Sequence, residues 1–250
     1  MSPLAISLIV FACVFGAAVL GTFCVLPQSH QRADSKDTVM LGMGLVATMS
    51  ALVLGLLVSS AKSFYDAQNS SVTEMSAKVI LLDRLMAHDG PEAKPARDAL
   101  RRAVAGNLDR IWPRERKRTA EATAPTSDAD SLFEMIQALP ATDDKQRGVK
   151  AQALRMAIDI GQTHWLMYEQ AAATSFSRPM LAILVFWLVA LFFSFGLFSA
   201  RNVTVTSAMF ISALSVAAAI FLILEMYRPY GGIIEVSSAP IRSALEHLGQ

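Results

Sequence analysis

Four stretches of this chain each run for more than twenty residues without one Asp, Glu, Lys, Arg or His: 4–26, 38–60, 179–200 and 203–224. A bilayer core is crossed by about 20 apolar residues in helix, and a backbone inside it must satisfy its own hydrogen bonds. The chain is therefore expected to cross a membrane four times, each time as a helix. Composition agrees, since 53% of the residues are apolar and 17% charged, against about 45–50% and about 25% in a soluble domain. The first stretch reads as a true span rather than a signal peptide. It lacks a basic leading region, and its apolar part is too long.

Four spans place the N-terminus, the long segment 61–178 and the C-terminus on one side. Of the 22 Lys and Arg residues, only Arg32, Lys36 and Arg201 fall on the other side. The positive-inside rule then makes the first side cytoplasmic. The expected layout has transmembrane helices 1 and 2 in residues 1–60, a cytoplasmic helical domain in 61–178, transmembrane helices 3 and 4 in 179–224, and a cytoplasmic tail in 225–250. The expected location is the cell inner (plasma) membrane, multi-pass.

Within 61–178 the apolar residues keep a helical period. Val72, Met75, Val79, Leu82 and Met86 recur three or four apart, and Gly90-Pro91 follows. Leu100, Val104, Leu108 and Ile111 mark a second helix, ended by Pro113. Residues 113–126 carry the basic run 114–118 and have no apolar period; they read as a solvated loop, or as a patch for anions or anionic headgroups. Ser127 with Asp130 suggests a capped short helix ended by Pro140, and Val149, Ala153, Met156, Ile160, Thr163 and Met167 a long one. No alternating stretch suggests a sheet. The predicted fold is an all-α integral membrane protein of four transmembrane helices, with a helical-bundle cytoplasmic domain between the second and third. No Pro lies between Thr38 and His88, so the second span is expected to continue as one rod on the order of 75 Å long.

On that second span Gly44, Thr48, Ala51, Gly55, Ser59 and Lys62 recur three or four apart. Such a narrow face of small and polar side chains either lines a pore or lets helix backbones approach closely. After the last span, Glu225, Tyr227 and Arg228 suit the membrane interface, and Pro229 with Gly231-Gly232 turns the chain. Ile233–Val236 is read as extended, and Ser237 or Ser238 as the cap of a final helix. That helix would put Ile241, Leu245 and Leu248 on one side, a stripe too small to be stable alone, so the tail is expected to dock on the bundle or on a neighbouring subunit.

Other chemistry finds little footing. A net charge of +1 gives no reason to expect nucleic acid. The four histidines are far apart, none in HExxH, and no GxGxxG, GxxxxGK[ST] or GxSxG occurs. Asp128/Asp130 and Asp143/Asp144 lack the spacing of a calcium loop. Spans without ionisable groups leave little for proton coupling. Cys13 and Cys24 lie about 16 Å apart on one helix and cannot bridge within the chain. The expectation is no enzyme, no cofactor and no metal.

Particular segments resemble the bestrophin-like family of bacterial membrane proteins. They are Leu26-Pro27 with His30, ALVLGLLVSSAKSFYD (51–66), VILLDRL (79–85), GPEAKPARDALRRAV (90–104), DRIWP (109–113), FWLVALFFSFGLFSARN (186–202) and RPYGGIIEVSSAPI (228–241). The more distant likeness to bestrophins proper implies a homopentamer that conducts anions along its axis, with the second span lining the pore. Bestrophin necks carry bulky apolar residues there, often Phe, whereas this span has no aromatic residue, and no acidic cluster resembles the calcium clasp of animal bestrophins. The expected function is a homo-oligomeric membrane protein in the lipid bilayer that conducts small anions. The alternative is a membrane-anchored scaffold or signal-relay protein that docks a cytoplasmic partner through its helical domain.

Overall fold

Helix formation in this chain follows its punctuation. Pro3 occupies the first turn of α1 (Pro3–Phe23), and Ser2 Oγ accepts a hydrogen bond from the Ala5 amide at 3.2 Å. α2 (Ala33–Ala87) runs unbroken for 55 residues, with no proline to interrupt it. Gly90 then takes φ 89°, a conformation that side chains disfavour, and Pro91 opens the short 3-10 turn Pro91–Ala93. There follow α3 (Lys94–Ile111), α4 (Asp128–Ala138), α5 (Asp144–Ala173), α6 (Arg178–Phe198), α7 (Val203–Met226) and α8 (Ala239–His247). The computed structural model describes residues 2–24, 33–88, 90–112, 128–173, 178–199 and 201–249, and among these there is no strand. Pro27, His30, the basic run 114–118 and Ser127 lie outside the described residues.

Among the described residues four helices are long and apolar enough to cross a membrane: Pro3–Phe23, Asp37–Ala87, Pro179–Phe198 and Val203–Met226. The protein is thus an all-α, multi-pass membrane protein. Its contacts divide it into two compact units, one of Met1–Phe64 with Ser175–Tyr227, the other of Tyr65–Thr174 with Arg228–Gln250.

The first unit is built on α1 lying against α6 and α7. Val14, Ala18, Leu184, Leu188, Ile220 and Ile223 form its centre. Two glycines set the distance between α1 and α6. A Cβ on Gly21 would fall on the Phe193 carbonyl oxygen, and one on Gly196 would fall on that of Ala18. Lipid offers no hydrophobic drive for helices to associate, so close backbone approach and dispersion hold them together. Phe210 meets Phe11 and Phe15 edge-on, with centroids 5.3 and 5.4 Å away. At the far end Arg201 Nε donates to the Thr22 carbonyl at 2.9 Å, and Asn202 Oδ1 caps α7 by accepting from the Val205 amide at 2.9 Å.

The second unit has its own core. Val72, Met75, Val79, Leu82 and Met86 of α2 are all buried, together with Leu100, Val104 and Leu108 of α3, while Ile111 is half-buried. Ile136 of α4 and Ala153 and Met167 of α5 close over them. A largely buried ion pair joins α2 to α3 in this unit. Arg97 grips the buried Asp83 with both prongs, Nε to Oδ1 at 2.8 Å and Nη2 to Oδ2 at 2.7 Å, and Oδ2 also accepts the Gly249 amide at 3.2 Å.

Candidate functional site

α2 presents three different faces within the first unit. Ser50, Leu57 and Ala61 are buried, with Met43, Val46, Ala47, Val53 and Leu54 packed beside them. At roughly 100° per residue, the residues Gly44, Thr48, Ala51, Gly55, Ser59 and Lys62 lie about 140° round the helix from that side, and every one is exposed. Leu41, Leu45, Leu52 and Leu56 form an exposed apolar face adjoining them. A Cβ built on Gly44 or Gly55 meets no atom of the chain within 4 Å. The small side chains on this face therefore do not serve packing within the chain.

The degree of cover sets α2 apart from the other spans. In its most apolar window 11% of the residues are buried, against 33%, 33% and 28% for α1, α6 and α7. An apolar helix left this bare needs lipid or another copy to cover it. The polarity of its narrow face is weak. Thr48 Oγ1 spends its hydrogen on the Gly44 carbonyl at 2.9 Å, which leaves its oxygen as an outward acceptor. Lys62 brings a cation to one end of the face.

The tail forms a second constellation, wholly within the second unit. Tyr65 Oη donates to the Glu235 carbonyl at 3.1 Å, and Trp112 Nε1 to the Val236 carbonyl at 2.9 Å. Tyr230 Oη donates to Gln68 Oε1 at 2.7 Å, and Gln68 Nε2 donates onward to Gln170 Oε1 at 3.0 Å. Trp112 and Tyr230 meet edge-on at 5.6 Å. Burial pushes the Tyr230 phenol well above its usual range, so it remains a donor throughout the accessible pH range. The turn closes on itself through the Val236 amide and the Pro229 carbonyl at 2.8 Å. Ile241 and Leu248 of the tail are buried in the core of this unit, and Leu245 is half-buried against it. In place of an extended Ile233–Val236, the chain bends at 232–234 and leaves Ile233 exposed, because the hydrogen bonds to Glu235 and Val236 draw in the residues that follow. Ser237 Oγ accepts from the Ala239 amide at 3.2 Å as α8 begins.

Gln68 is fully buried, so Tyr230→Phe leaves its Oε1 without a partner. The expected cost is about 1–3 kcal/mol, read as a lower unfolding temperature of the protein in nanodiscs and earlier proteolysis of the tail. An unchanged melt would show that the Tyr230–Gln68 bond holds nothing.

Pattern reading missed Tyr65, Gln68, Trp112 and Tyr230. A signal was present: Tyr65 and Gln68 extend the Val72–Met86 stripe backward at the same spacing, and a glutamine on an apolar stripe must find partners. Elsewhere, Cys13 and Cys24 are exposed and unbridged. His164 is half-buried, and its pKa is lowered first by that burial and then by the charge of Arg110. Among the described residues no group of three or more His, Cys, Asp or Glu could hold a metal ion.

Comparison with known proteins fits this architecture. No curated protein matches significantly. A bacterial bestrophin homologue from Klebsiella pneumoniae, solved in several single-mutant forms, shares the fold. One form gives a TM-score of 0.68 at 13% identity over 100% of both chains, and a second gives 0.68 at 13% over 96% of both. A third gives 0.64 at 14% identity over 99% of this chain and 98% of that one. The Bestrophin-like domain itself matches residues 9–241, nearly the whole chain, and the protein belongs to the bestrophin-like family.

Proposed function

We propose that the protein is a homo-oligomeric channel of the inner membrane that conducts small anions, its pore lined by Gly44, Thr48, Ala51, Gly55, Ser59 and Lys62. The observation that carries this reading is the α2 face itself, small, weakly polar and exposed along its whole length. Arranged about an axis, such faces from several copies would enclose a path wide enough for hydrated ions, with the adjoining leucines against the next copy. Five copies is the assembly that the likeness to bestrophins implies. In this arrangement the termini, the helical domain 61–178 and the tail 225–250 are cytoplasmic, and Ile241, Leu245 and Leu248 hold the tail helix in place. Lys62 of each copy adds positive charge near one mouth, which concentrates anions there.

Gly55→Leu tests this directly, because the new side chain meets nothing within the chain and would fall in the pore. The expected result is five copies by native mass spectrometry in nanodiscs for both proteins. Chloride efflux from wild-type liposomes should exceed that from empty ones and fall at least tenfold in the variant. A monomer or dimer, or wild-type liposomes no leakier than empty ones across voltage and pH, would overturn the proposal. The helical domain as a docking platform for a cytoplasmic partner would then be the better account.

A further inference from the structure

The helical unit carries a cavity of about 560 Å³, open to solvent beside the exposed Arg110, Ile158 and Trp165 and apart from both the α2 face and the Tyr230–Gln68 contacts. Its size lies within the range of small-molecule sites, about 300–1,000 Å³. The walls are mainly apolar, with Met75 and Val79 from α2, Leu100 and Val104 from α3, and Ile160 from α5 among them. Asn107, Arg110 and His164 also line it, each one or two turns beyond those apolar residues of its own helix. Asn107 and Arg110 of α3 and His164 of α5 share one wall, so the polar ends of the two helices converge. Among the described residues no Asp or Glu lines the cavity. Ile241 and Ala244 of the tail helix form part of its wall.

The glycines point the same way. Gly106 and Gly161 sit inside α3 and α5 and line the cavity, and a Cβ at either would meet no atom within 4 Å. Glycine in a helix interior costs about 1 kcal/mol relative to alanine, and neither glycine is required by a close contact or a positive φ. Both keep open a space that any side chain would begin to fill.

We propose that this cavity binds a single-chain amphiphile with a carboxylate head, a medium-chain fatty acid, with the head on Arg110 and Asn107 and the chain along Leu100, Val104, Val79 and Ile160. Arg110 offers a planar fork to a carboxylate, and Asn107 and His164 each add a donor. One permanent cation matches a monoanion better than a phosphate dianion, and the described lining residues include no acid to hold a cationic head. The apolar walls take up the chain, whose burial supplies most of the affinity.

The test uses the full chain in nanodiscs with dodecanoate carrying a diazirine at its tail, irradiated and mapped by peptide mass spectrometry. Adducts are expected on 100–104 and 157–160, and unlabelled octanoate, decanoate and dodecanoate should compete with affinities rising roughly tenfold per two methylenes. Gly161→Phe and Gly106→Leu, which introduce side chains into open space, should each reduce these adducts at least tenfold while leaving the unfolding temperature at or above that of the wild type. Arg110→Gln should weaken dodecanoate about tenfold and leave dodecanol unchanged. Adducts confined to α1, residues 38–60 of α2, α6 and α7 would mean partition into the bilayer only and would overturn the proposal. Labelling of the cavity that survives both glycine variants would overturn it as well, and equal competition by dodecanol would remove the carboxylate from it. None of these readouts depends on ion conduction, so the result stands apart from the fate of the channel reading.

Discussion

Gly196→Leu is expected to separate α1 from α6 and to cost the membrane unit about 3 kcal/mol or more, the upper end of what overpacking does. The obstacle is the Ala18 carbonyl, with the Thr22 amide nitrogen only 3.0 Å from the same Cβ position. A side chain in the way can rotate, but a helix backbone can only move as a whole. Gly21→Leu should behave alike, because its Cβ would meet the Phe193 carbonyl. Gly55→Leu is the matched comparison, a glycine-to-leucine change in a spanning helix with no atom within 4 Å. Thermal unfolding of the three variants in nanodiscs checks this. The expected order is wild type and Gly55→Leu together, with Gly21→Leu and Gly196→Leu well below. If all four melt alike, the α1–α6 contact is looser than described and close approach does not hold the spans.

Asp83→Ala is the second large effect. Asp83 has 3% of its side chain exposed and Arg97 18%, so the pair is largely out of water. Removing the carboxylate takes from the largely buried guanidinium its two-pronged acceptor and leaves the Gly249 amide without its own. Losing one partner of a buried pair costs about 3–5 kcal/mol. The pair holds three parts of the unit, since Asp83 is on α2, Arg97 on α3 and Gly249 just after α8. Hydrogen bonding to Asp83 is the main influence raising the Arg97 pKa, so the arginine stays charged at any working pH. The loss should therefore be nearly independent of pH between 6 and 9 (roughly the range in which an arginine cannot titrate). A double-mutant cycle with Arg97→Met separates the pair from its surroundings. Asp83→Ala alone should destabilise more than Asp83→Ala with Arg97→Met. A single variant that melts with the wild type would mean that the pair contributes no net stability.

Much of the architecture was legible in the sequence, because it depends on properties read along the chain. Hydropathy summed over about twenty residues decides whether a helix can span a membrane, and all four spans appear where the uncharged stretches lie. The Val72–Met86 stripe needed only its period to mark the buried side of α2, and Gly90-Pro91 needed only backbone sterics to end that helix. The absence of any proline between Thr38 and His88 sufficed for the unbroken α2.

The tertiary structure decided what small and polar residues are for. Glycines at 21, 55 and 196 look alike in sequence, yet two admit a neighbouring backbone and the third faces open space. Nothing along the chain says which, because a close approach belongs to a pair of helices far apart in sequence. The same holds for the buried polar groups. Gln68 and Tyr230, 162 residues apart, acquire a joint role only when the tail folds back into the helical unit. Asp83 could have been a solvated charge on α2 until Arg97 and the Gly249 amide met it. Which residues enter the bilayer is thus a one-dimensional property of this sequence. Which face of α2 stays bare, which glycines are contacts and where the cavity opens depend on partners that only the folded chain brings within reach.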